Sequence, residues 1–373
     1  NAHNISYFKK RCSFVLYIFK AMGKKTDIFK GGKSKKIIVY TLAILILISC
    51  YMIWRIAFSS NIHLRNNQTE AFLYVPTGAD EQTVEKLLLS QTDIDDEMFF
   101  KMMLRLKCKM SRVYPGKYKL TDGMSNKAII QLLRPANRLQ VKLTLKFFRK
   151  KEDLADYVSQ NLEVNHSQFL AILQSDDSLK EYGFNTYDVI GMFTPNTYFF
   201  NWNTSVEQFM ERMYKEYLKF WTAERIAKAK VQGLTPSQAT TLASIVDRET
   251  NYNPEKSTIA GVYLNRLRDS MPLQADPTIV YAVGDFTIKR VRKGHLLVKS
   301  PYNTYMNIGL PPGPICTPSI SSVDAVLNAE HHKYMFFCAK EDFSGRHNFA
   351  VTFDEHLQNA RKFQEAMNEH AIE

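Results

Sequence analysis

A single apolar stretch constrains the fold of this chain more than any other feature. Residues 37–54 read IIVYTLAILILISCYMIW, a run without a charged residue, and apolar residues continue to Phe58 after one arginine. A helix of this length can cross a hydrocarbon layer about 30 Å thick. Tyr51 and Trp54 lie near its C-terminal end, and amphipathic rings favour the membrane interface. We therefore predict one transmembrane helix over residues 37–58.

The distribution of charge predicts how this helix is oriented. The chain has a formal net charge of +12, and residues 1–36 hold ten Lys or Arg against one Asp, which is +9 of that total. Basic residues that flank a transmembrane helix remain on the cytoplasmic side. We expect residues 1–36 to be a cytoplasmic tail of a single-pass protein of the cell (inner) membrane, with an extracytoplasmic or periplasmic C-terminal part. The remaining +3 does not indicate a nucleic-acid partner.

Two other interpretations of the apolar stretch are weaker. A buried core helix seldom runs this long without a polar face. A cleaved signal peptide has a shorter apolar region and a small-residue cleavage site soon after it, which this sequence lacks. The single-pass anchor is therefore the prediction.

Three strand–turn–helix patterns follow the anchor. Strand-like residues at 71–75, 116–120 and 141–147 each precede a turn and a stretch of helical periodicity. Because their spacing is irregular, they indicate small modules of mixed structure rather than a solenoid. We predict an α+β fold, with a small module over residues 71–135 and a larger domain over residues 141–373.

The cysteines indicate neither a disulfide framework nor a metal site. Of the five in the chain, three follow the anchor, namely Cys108, Cys316 and Cys338. Their number is odd, and their spacing matches no metal-binding pattern. We expect buried free thiols, with a bridge between Cys316 and Cys338 as the open alternative. We expect neither a metal nor a cofactor.

One helix beyond the anchor is well defined by its ends. Residues 233–251 read GLTPSQATTLASIVDRETN. Thr235 is a good N-cap, Pro236 suits the first helical position, and Gln238 completes a capping box. Helical periodicity continues to about Thr250. This helix carries the strongest catalytic candidate in the sequence.

Glu249 is placed where its carboxyl group should stay protonated. At about 100° per residue, it falls at the edge of the apolar face that includes Leu242 and Val246. Burial disfavours the carboxylate, as does the negative end of the helix dipole in the last turn. A protonated acid near neutral pH can act as a general acid. A solvated glutamate at a fraying helix end is the alternative, and Asp247, farther from the apolar face, is the rival acid.

Further motifs downstream combine helix caps with rigid loops. A second helix is predicted after Asn253, and Asp276 is predicted to cap a third helix that begins at Pro277. Residues 300–305 and 309–315 contain prolines and glycines that favour rigid loops. Their polar and aromatic side chains suit hydrogen bonds to sugars, and they suit a stiff connector equally well.

Six motifs occur in order along the second half of the chain. They are LASIVDRET at 242–250, VYLNRL at 262–267, LQADPT at 273–278, SPYNTY at 300–305, GLPPGPI at 309–315 and HNFAVT at 347–352. With these motifs the chain resembles the endolytic murein transglycosylases, the YceG-like or MltG family. The resemblance covers residues 35–370. It implies a LysM-like module over residues 71–135, followed by a mixed α+β YceG-like catalytic domain.

The resemblance also implies an activity. Members of this family cleave peptidoglycan glycan strands between N-acetylmuramic acid and N-acetylglucosamine. The glutamate of the first motif, here Glu249, would protonate the leaving oxygen and then accept the proton of the muramyl C6 hydroxyl, which closes a 1,6-anhydro ring. Contacts to substrate or to the site are expected from Asn265, Gln274, Asp276, Tyr302, Asn303 and His347. The implied partners are nascent glycan strands, whose elongation the enzyme would limit, the membrane and cell-wall synthases.

Two other functions stay open at this point. One is a hydrolytic muramidase, which would leave reducing sugar ends instead of anhydro rings. The other is a non-catalytic, membrane-anchored scaffold that binds glycan or divisome proteins through the N-terminal modules. An activity assay with analysis of the new ends separates all three.

Overall fold

The computed structural model describes residues 33–110 and 113–370 of the chain. Residues 1–32, most of the predicted cytoplasmic tail, lie outside the described residues. The chain divides into two compact units at the junction of Arg138 and Leu139. We call the part up to Arg138 the N-terminal unit and the part from Leu139 the C-terminal unit.

The predicted membrane-spanning segment is helical. Helix α1 spans Lys33–Phe58, and its part Tyr40–Phe58 is long and apolar enough to cross a membrane, with a mean hydropathy of 2.0. Apolar side chains along the helix, including Ile38, Leu42 and Ile53, are exposed. A helix that is apolar on all sides and does not pack into a core is compatible with a membrane anchor.

The rest of the N-terminal unit combines short strands and helices. The helices are α2 (Glu81–Gln91), α3 (Glu97–Met110) and α4 (Asn126–Leu132), and the strands are β1 (Ser60–Leu64), β2 (Glu70–Val75), β3 (Thr92–Ile94), β4 (Gly116–Thr121) and β5 (Met124–Ser125). Strand β1 lies between β3 and β5, and β2 pairs antiparallel with β4. Leu73 lies opposite Tyr118 in this pair, and both side chains are buried.

The first two strand–turn–helix patterns of the sequence join in this one unit. Leu88 of α2 in the first pattern and Tyr118 of β4 and Ile129 of α4 in the second belong to the same buried core. The side chain of Asp80 accepts a hydrogen bond at the start of α2, and that of Ser125 does so at the start of α4, so both residues are N-caps. The two patterns therefore form a single small core rather than successive modules.

The C-terminal unit is a larger mixture of helices and two-stranded sheets. Its helices are α5 (Lys151–Asn161), α6 (His166–Leu173), α7 (Asp176–Leu179), α8 (Val206–Phe220), α9 (Ala223–Val231), α10 (Pro236–Glu249), α11 (Lys256–Arg268), α12 (Asp276–Val283), α13 (Ile320–Leu327) and α14 (Phe353–His370). Its strands are β6 (Gln140–Leu145), β7 (Asn196–Asn201), β8 (Phe336–Ala339) and β9 (His347–Ala350). Strands β6 and β7 pair antiparallel, as do β8 and β9. Both units are thus of the predicted α+β class.

Helix α10 has the ends that the sequence predicts. The Thr235 hydroxyl accepts from the Gln238 N–H, and the Gln238 side chain accepts from the Thr235 N–H, so the capping box is confirmed. Leu242 and Val246 are fully buried in a core that α10 shares with α11 and α13. Because α10 is capped at one end and packed along its length, its last residue, Glu249, has a fixed position.

The predicted cap of α12 is wrong. The helix begins at Asp276 itself, its N-cap residue is Ala275, and the Asp276 side chain makes no capping hydrogen bond. Instead, Thr304 anchors the helix start, because its hydroxyl accepts from the Ala275 N–H at 3.0 Å. The Asp276 carboxylate is therefore available for contacts in the cavities described below.

The cysteines of the C-terminal unit do not pair. Cys316 is buried and Cys338 is half-buried, and both are free thiols. Burial raises the pKa of both thiols, which disfavours the reactive thiolate. The expectation of free thiols is confirmed for these two residues, although only Cys316 is fully buried.

Candidate active site

Glu249 lies in the wall between two cavities of the C-terminal unit. The first cavity has a volume of about 290 Å³ and the second about 330 Å³, and both are lined by Glu249 and Asp276. The first is also lined by Arg149, Arg248, Pro277, Val280, Tyr281, Phe286, Ile288, Lys289, Val291 and Ile315. The second is also lined by Tyr263, Arg266, Leu273, Gln274, Tyr305, Phe337, Cys338, Ala339, His347 and His356. A chain-like ligand could thus contact Glu249 from both sides.

Burial controls the protonation of Glu249. It raises the pKa of the carboxyl group to about 7, and the nearby charge of Asp276 acts in the same direction. Two contacts oppose it, namely the hydrogen bond from the Tyr263 hydroxyl, 2.5 Å from Oε1, and the positive charge of Arg266. Burial prevails, so a large fraction of Glu249 is protonated near neutral pH. The raised pKa predicted from the helix position is confirmed.

Helix α11 supplies two residues that stabilise the Glu249 carboxylate, one through a hydrogen bond and the other through its positive charge. Tyr263 is fully buried and directs its hydroxyl at the Glu249 carboxyl group. The Arg266 guanidinium donates to the backbone carbonyls of Met335 at 2.7 Å and Leu273 at 2.8 Å. Because these bonds tie Arg266 to the protein backbone, its charge stays beside Glu249 without forming an ion pair with it.

Asp276 is the second acid at the two cavities. Its Oδ1 accepts a hydrogen bond from the Tyr305 hydroxyl at 2.6 Å. The residue two positions earlier, Gln274, has a left-handed backbone with φ of 52°, which a residue other than glycine adopts at a cost of about 1–2 kcal/mol. The Gln274 N–H donates to the Thr304 carbonyl at 3.0 Å, which helps to hold this conformation. Backbone strain at a cavity-lining residue is typical of functional sites.

The β8–β9 hairpin and helix α14 close the far side of the second cavity. His347 Nδ1 lies 2.9 Å from Glu255 Oε2, and both side chains are largely buried. His356 stacks on Phe336, and its Nδ1 is buried without a hydrogen-bond partner among the described residues. Burial lowers the pKa of His356, so its ring is neutral near pH 7.

Three of the predicted site residues lie away from both cavities. The side-chain amide of Asn265 donates to the carbonyls of His332 and Tyr334, at 2.9 and 2.8 Å. Asn303 is fully buried, and its amide donates to two loop carbonyls in the segment 296–298. Tyr302 is also buried and packs against the Tyr281 ring, with ring centroids 4.7 Å apart. These side chains stabilise loops around the site.

The structure thus brings four predicted residues together and adds others. Glu249, Gln274, Asp276 and His347 all line the second cavity. The polar side chains at the cavities also include four residues that lie in the sequence motifs but were not predicted as site residues, namely Tyr263, Arg266, Tyr305 and Arg248. Arg149 lies outside all six motifs. No local pattern marks these residues, because each acts through a partner distant in sequence.

The arrangement supports proton transfer at one carboxyl group. Glu249 is protonated enough near pH 7 to donate a proton, and the resulting carboxylate has Tyr263 and Arg266 nearby to stabilise it. The site can therefore give up a proton and later recover one. Open space on both sides of Glu249 suits a ligand that extends in two directions.

Comparisons with known proteins identify the class to which this fold and site belong. The model of the YceG-like family matches residues 73–362. The chain therefore belongs to the YceG-like family, as its motifs predicted.

Individual relatives carry more specific names. The chain is 30% identical over 324 residues to an endolytic murein transglycosylase of Bacillus subtilis, across 82% of this chain and 88% of that protein. It is 29% identical over 177 residues to an endolytic murein transglycosylase of Streptococcus pneumoniae, which is 46% of this chain and 32% of that protein. A crystal structure of a putative YceG-like protein from Listeria monocytogenes superposes with a TM-score of 0.53 at 25% identity, covering 78% of this chain and 98% of that one.

Proposed function

We propose that this protein is an endolytic murein transglycosylase and that Glu249 is its catalytic residue. The observation that carries the proposal is a single carboxyl group of pKa about 7 in the wall between two open cavities. The names of the relatives from Bacillus subtilis and Streptococcus pneumoniae support the same activity. The substrate is the glycan strand of peptidoglycan, cut between N-acetylmuramic acid and N-acetylglucosamine.

The proposed reaction uses Glu249 twice. The protonated carboxyl group donates its proton to the glycosidic oxygen as the bond from muramyl C1 to that oxygen breaks. The carboxylate then accepts the proton of the muramyl C6 hydroxyl while O6 bonds to C1. Water is neither consumed nor released, and Glu249 ends protonated, ready for another turnover. Because the nucleophile belongs to the substrate, the second, water-activating or nucleophilic carboxylate of hydrolases is not needed.

The other cavity residues have proposed roles in binding. Gln274 and His347 line the second cavity and can donate hydrogen bonds to sugar hydroxyl or acetamido groups. Asp276, oriented by Tyr305, can accept hydrogen bonds from sugar hydroxyls in either cavity. The three loop-stabilising residues described above act on the substrate only by positioning the loops.

We also infer a topology and a setting for the enzyme. Helix α1 anchors the chain in the cell membrane, with the basic residues before it in the cytoplasm and the catalytic unit outside. Strands β2 and β4 pair antiparallel and enclose the helices α2 and α3 and the short strand β3 in sequence, and this arrangement supports a LysM-like module. Anchored near the membrane, the enzyme meets nascent strands beside cell-wall synthases and limits their elongation.

The pH dependence of the rate should report the ionisation of Glu249. Because the reaction begins with the protonated acid, kcat/KM should fall as pH rises through about 7. The hydrogen bond from Tyr263 stabilises the carboxylate, so Tyr263→Phe should raise the pKa of Glu249. A hydrogen bond to a charged group contributes about 1.5–3 kcal/mol, so we expect the alkaline limb of the pH–rate profile to move about one to two pH units higher. Tyr187→Phe, at an exposed tyrosine, is the control and should leave the alkaline limb of the kcat/KM profile where it is in the wild type. If the alkaline limb of Tyr263→Phe stays in place or moves to lower pH, this electrostatic account is contradicted.

The lengths of the first products test the endolytic mode. With cavities on both sides of Glu249, internal bonds of a strand should be cut as readily as terminal ones. Early samples of a digest of uncrosslinked strands should contain fragments of intermediate length with anhydro ends. Accumulation of anhydro disaccharides from the first time point would indicate an exolytic enzyme, and the absence of any product would favour a scaffold.

A further inference from the structure

The two cavities beside Glu249 differ in whether their basic side chains already have hydrogen-bond or ion-pair partners within the protein. In the second cavity, the Arg266 guanidinium already donates to backbone carbonyls, and the His347 ring contacts Glu255. The first cavity is lined by Arg149, Arg248 and Lys289. Among the residues that the structure describes, none of these three has a carboxylate within 4 Å or a hydrogen-bond acceptor in reach.

Aromatic rings hold the two arginines of the first cavity in place. The guanidinium of Arg149 lies 4.5 Å from the Phe286 ring centroid and 5.3 Å from that of Phe147, and the guanidinium of Arg248 lies 5.1 Å from the same Phe147 ring. A guanidinium over a ring face keeps its N–H donors free at its edge. Two orientated sets of donors are therefore left for a ligand.

The two guanidinium groups also lie close enough to repel each other. Burial lowers the pKa of Arg149, and the positive charge of Arg248 lowers it further. Arg149 is partly buried and Arg248 is exposed, and two like charges near one another, one of them partly removed from water, are unfavourable unless an anion joins them. Planar, bidentate donors of this kind match carboxylate groups.

Peptidoglycan offers carboxylates at only one kind of sugar. N-acetylglucosamine is uncharged, whereas muramic acid bears, through its lactyl group, a stem peptide with free carboxylates. We infer that the first cavity binds a carboxylate of the stem peptide on a muramic acid next to the scissile bond, through Arg149 and Arg248. This inference rests on the proposed function and adds a specificity for peptide-bearing strands. Arg248 directly precedes Glu249, so binding there would also fix the position of the strand relative to the acid.

The test compares kcat/KM on two substrates, using the full chain. One is uncrosslinked strands with their stem peptides. The other is the same strands after an amidase has removed the peptides, so that each muramic acid keeps only its own lactyl carboxylate. We expect the wild type to prefer peptide-bearing strands by about tenfold, in line with a charge-assisted hydrogen-bonded contact. In Arg149→Gln/Arg248→Gln the ratio should fall close to one, and each single substitution should lower it partly. Arg290→Gln is the matched control, because it removes an exposed positive charge from the same loop as Lys289 without removing a cavity-lining side chain.

A second experiment uses only the wild type. It distinguishes recognition of the peptide's negative charge from uncharged contacts with the peptide. Strands whose peptide carboxylates have been amidated should be cut by the wild type about tenfold more slowly than unmodified peptide-bearing strands, because they offer the two arginines no carboxylate. The inference would be overturned if the wild type had nearly equal kcat/KM on peptide-bearing and amidase-treated strands, or if the folded double variant kept the wild-type ratio. It would also be overturned if the wild type cut amidated strands as fast as unmodified peptide-bearing strands. Equal cleavage of all strands would leave the proposed function intact, whereas no cleavage of any strand would refute that function first.

Discussion

Replacing Glu249 with glutamine should lower kcat on uncrosslinked glycan strands by about 10³-fold, within the range of about 10²–10⁴ that positioned acid–base groups contribute. The glutamine side chain has nearly the same shape and can still accept the Tyr263 hydrogen bond, so the two cavities keep their form. It can neither donate a proton to the leaving oxygen nor accept one from the C6 hydroxyl. Both proton transfers of the proposed reaction are therefore removed together. The rate of anhydro-end formation at saturating substrate measures this loss.

Two controls separate lost chemistry from lost fold. Glu224→Gln, on the exposed side of α9, should retain full activity, since its carboxylate forms only a surface pair with Lys228. The stability of Glu249→Gln gives the second control. The pKa of Glu249 is about 7 in the folded state and about 4.3 in the unfolded chain, so the wild type loses stability as pH rises between these values. Glutamine does not ionise, so the variant should be at least as stable as the wild type at pH 8.

The buried ion pair behind the acid gives the largest expected effect on stability. Lys256 is 5% exposed, and its Nζ lies 2.9 Å from Asp247 Oδ1. The same Asp247 oxygen accepts hydrogen bonds from the hydroxyls of Ser319, at 2.6 Å, and Ser322. Lys256→Met leaves the Asp247 charge without its cation, and breaking a buried pair in this way costs about 3–5 kcal/mol. Because two hydroxyl donors remain, we expect a loss of about 3 kcal/mol in the free energy of unfolding, measured by urea denaturation at pH 7.

The pH dependence of this loss identifies its cause. Burial opposes ionisation of Asp247, but the hydrogen bonds from Ser319, Ser322 and Lys256 outweigh it and hold the pKa of this carboxyl group below its usual value. The stability that Asp247 contributes is present above its unfolded pKa of about 3.9 and is lost as pH falls through the lower folded value. The difference between Lys256→Met and the wild type should therefore shrink at acidic pH.

A matched surface substitution completes this test. Lys228→Met removes a lysine from an exposed pair one turn apart on α9 and should have no measurable effect on the free energy of unfolding. An equally small effect of Lys256→Met, or a large effect that persists unchanged down to pH 3, would show that the Asp247–Lys256 pair does not stabilise the end of α10.

Local features of the sequence predicted the local features of the structure. The capping box of Thr235 and Gln238 and the raised pKa of Glu249 both depend on residues within one helix and its packed face. The same reasoning was wrong at Asp276, where a capping residue was expected from the sequence Asp-Pro. There, a distant hydroxyl, that of Thr304, bonds the backbone at the helix start and leaves Asp276 to Tyr305.

Features that depend on long-range contacts could not be read from the sequence. Asn303 has the polar side chain of a sugar-binding residue, yet both of its amide hydrogen bonds go to loop carbonyls. Arg149 and Arg248 lie far apart in the chain and share one aromatic ring, Phe147. Periodicity and capping rules describe neighbours along the chain, so they give no information on such pairs.

Product analysis in water enriched in ¹⁸O tests the central claim most directly. The claim is that Glu249 moves both protons of a reaction whose nucleophile is the C6 hydroxyl of the substrate. Wild-type digests should contain 1,6-anhydromuramyl ends without ¹⁸O, and parallel digests with Glu249→Gln should contain almost no new ends. Reducing ends that carry ¹⁸O in the wild-type digest, or undiminished anhydro ends from Glu249→Gln, would contradict it.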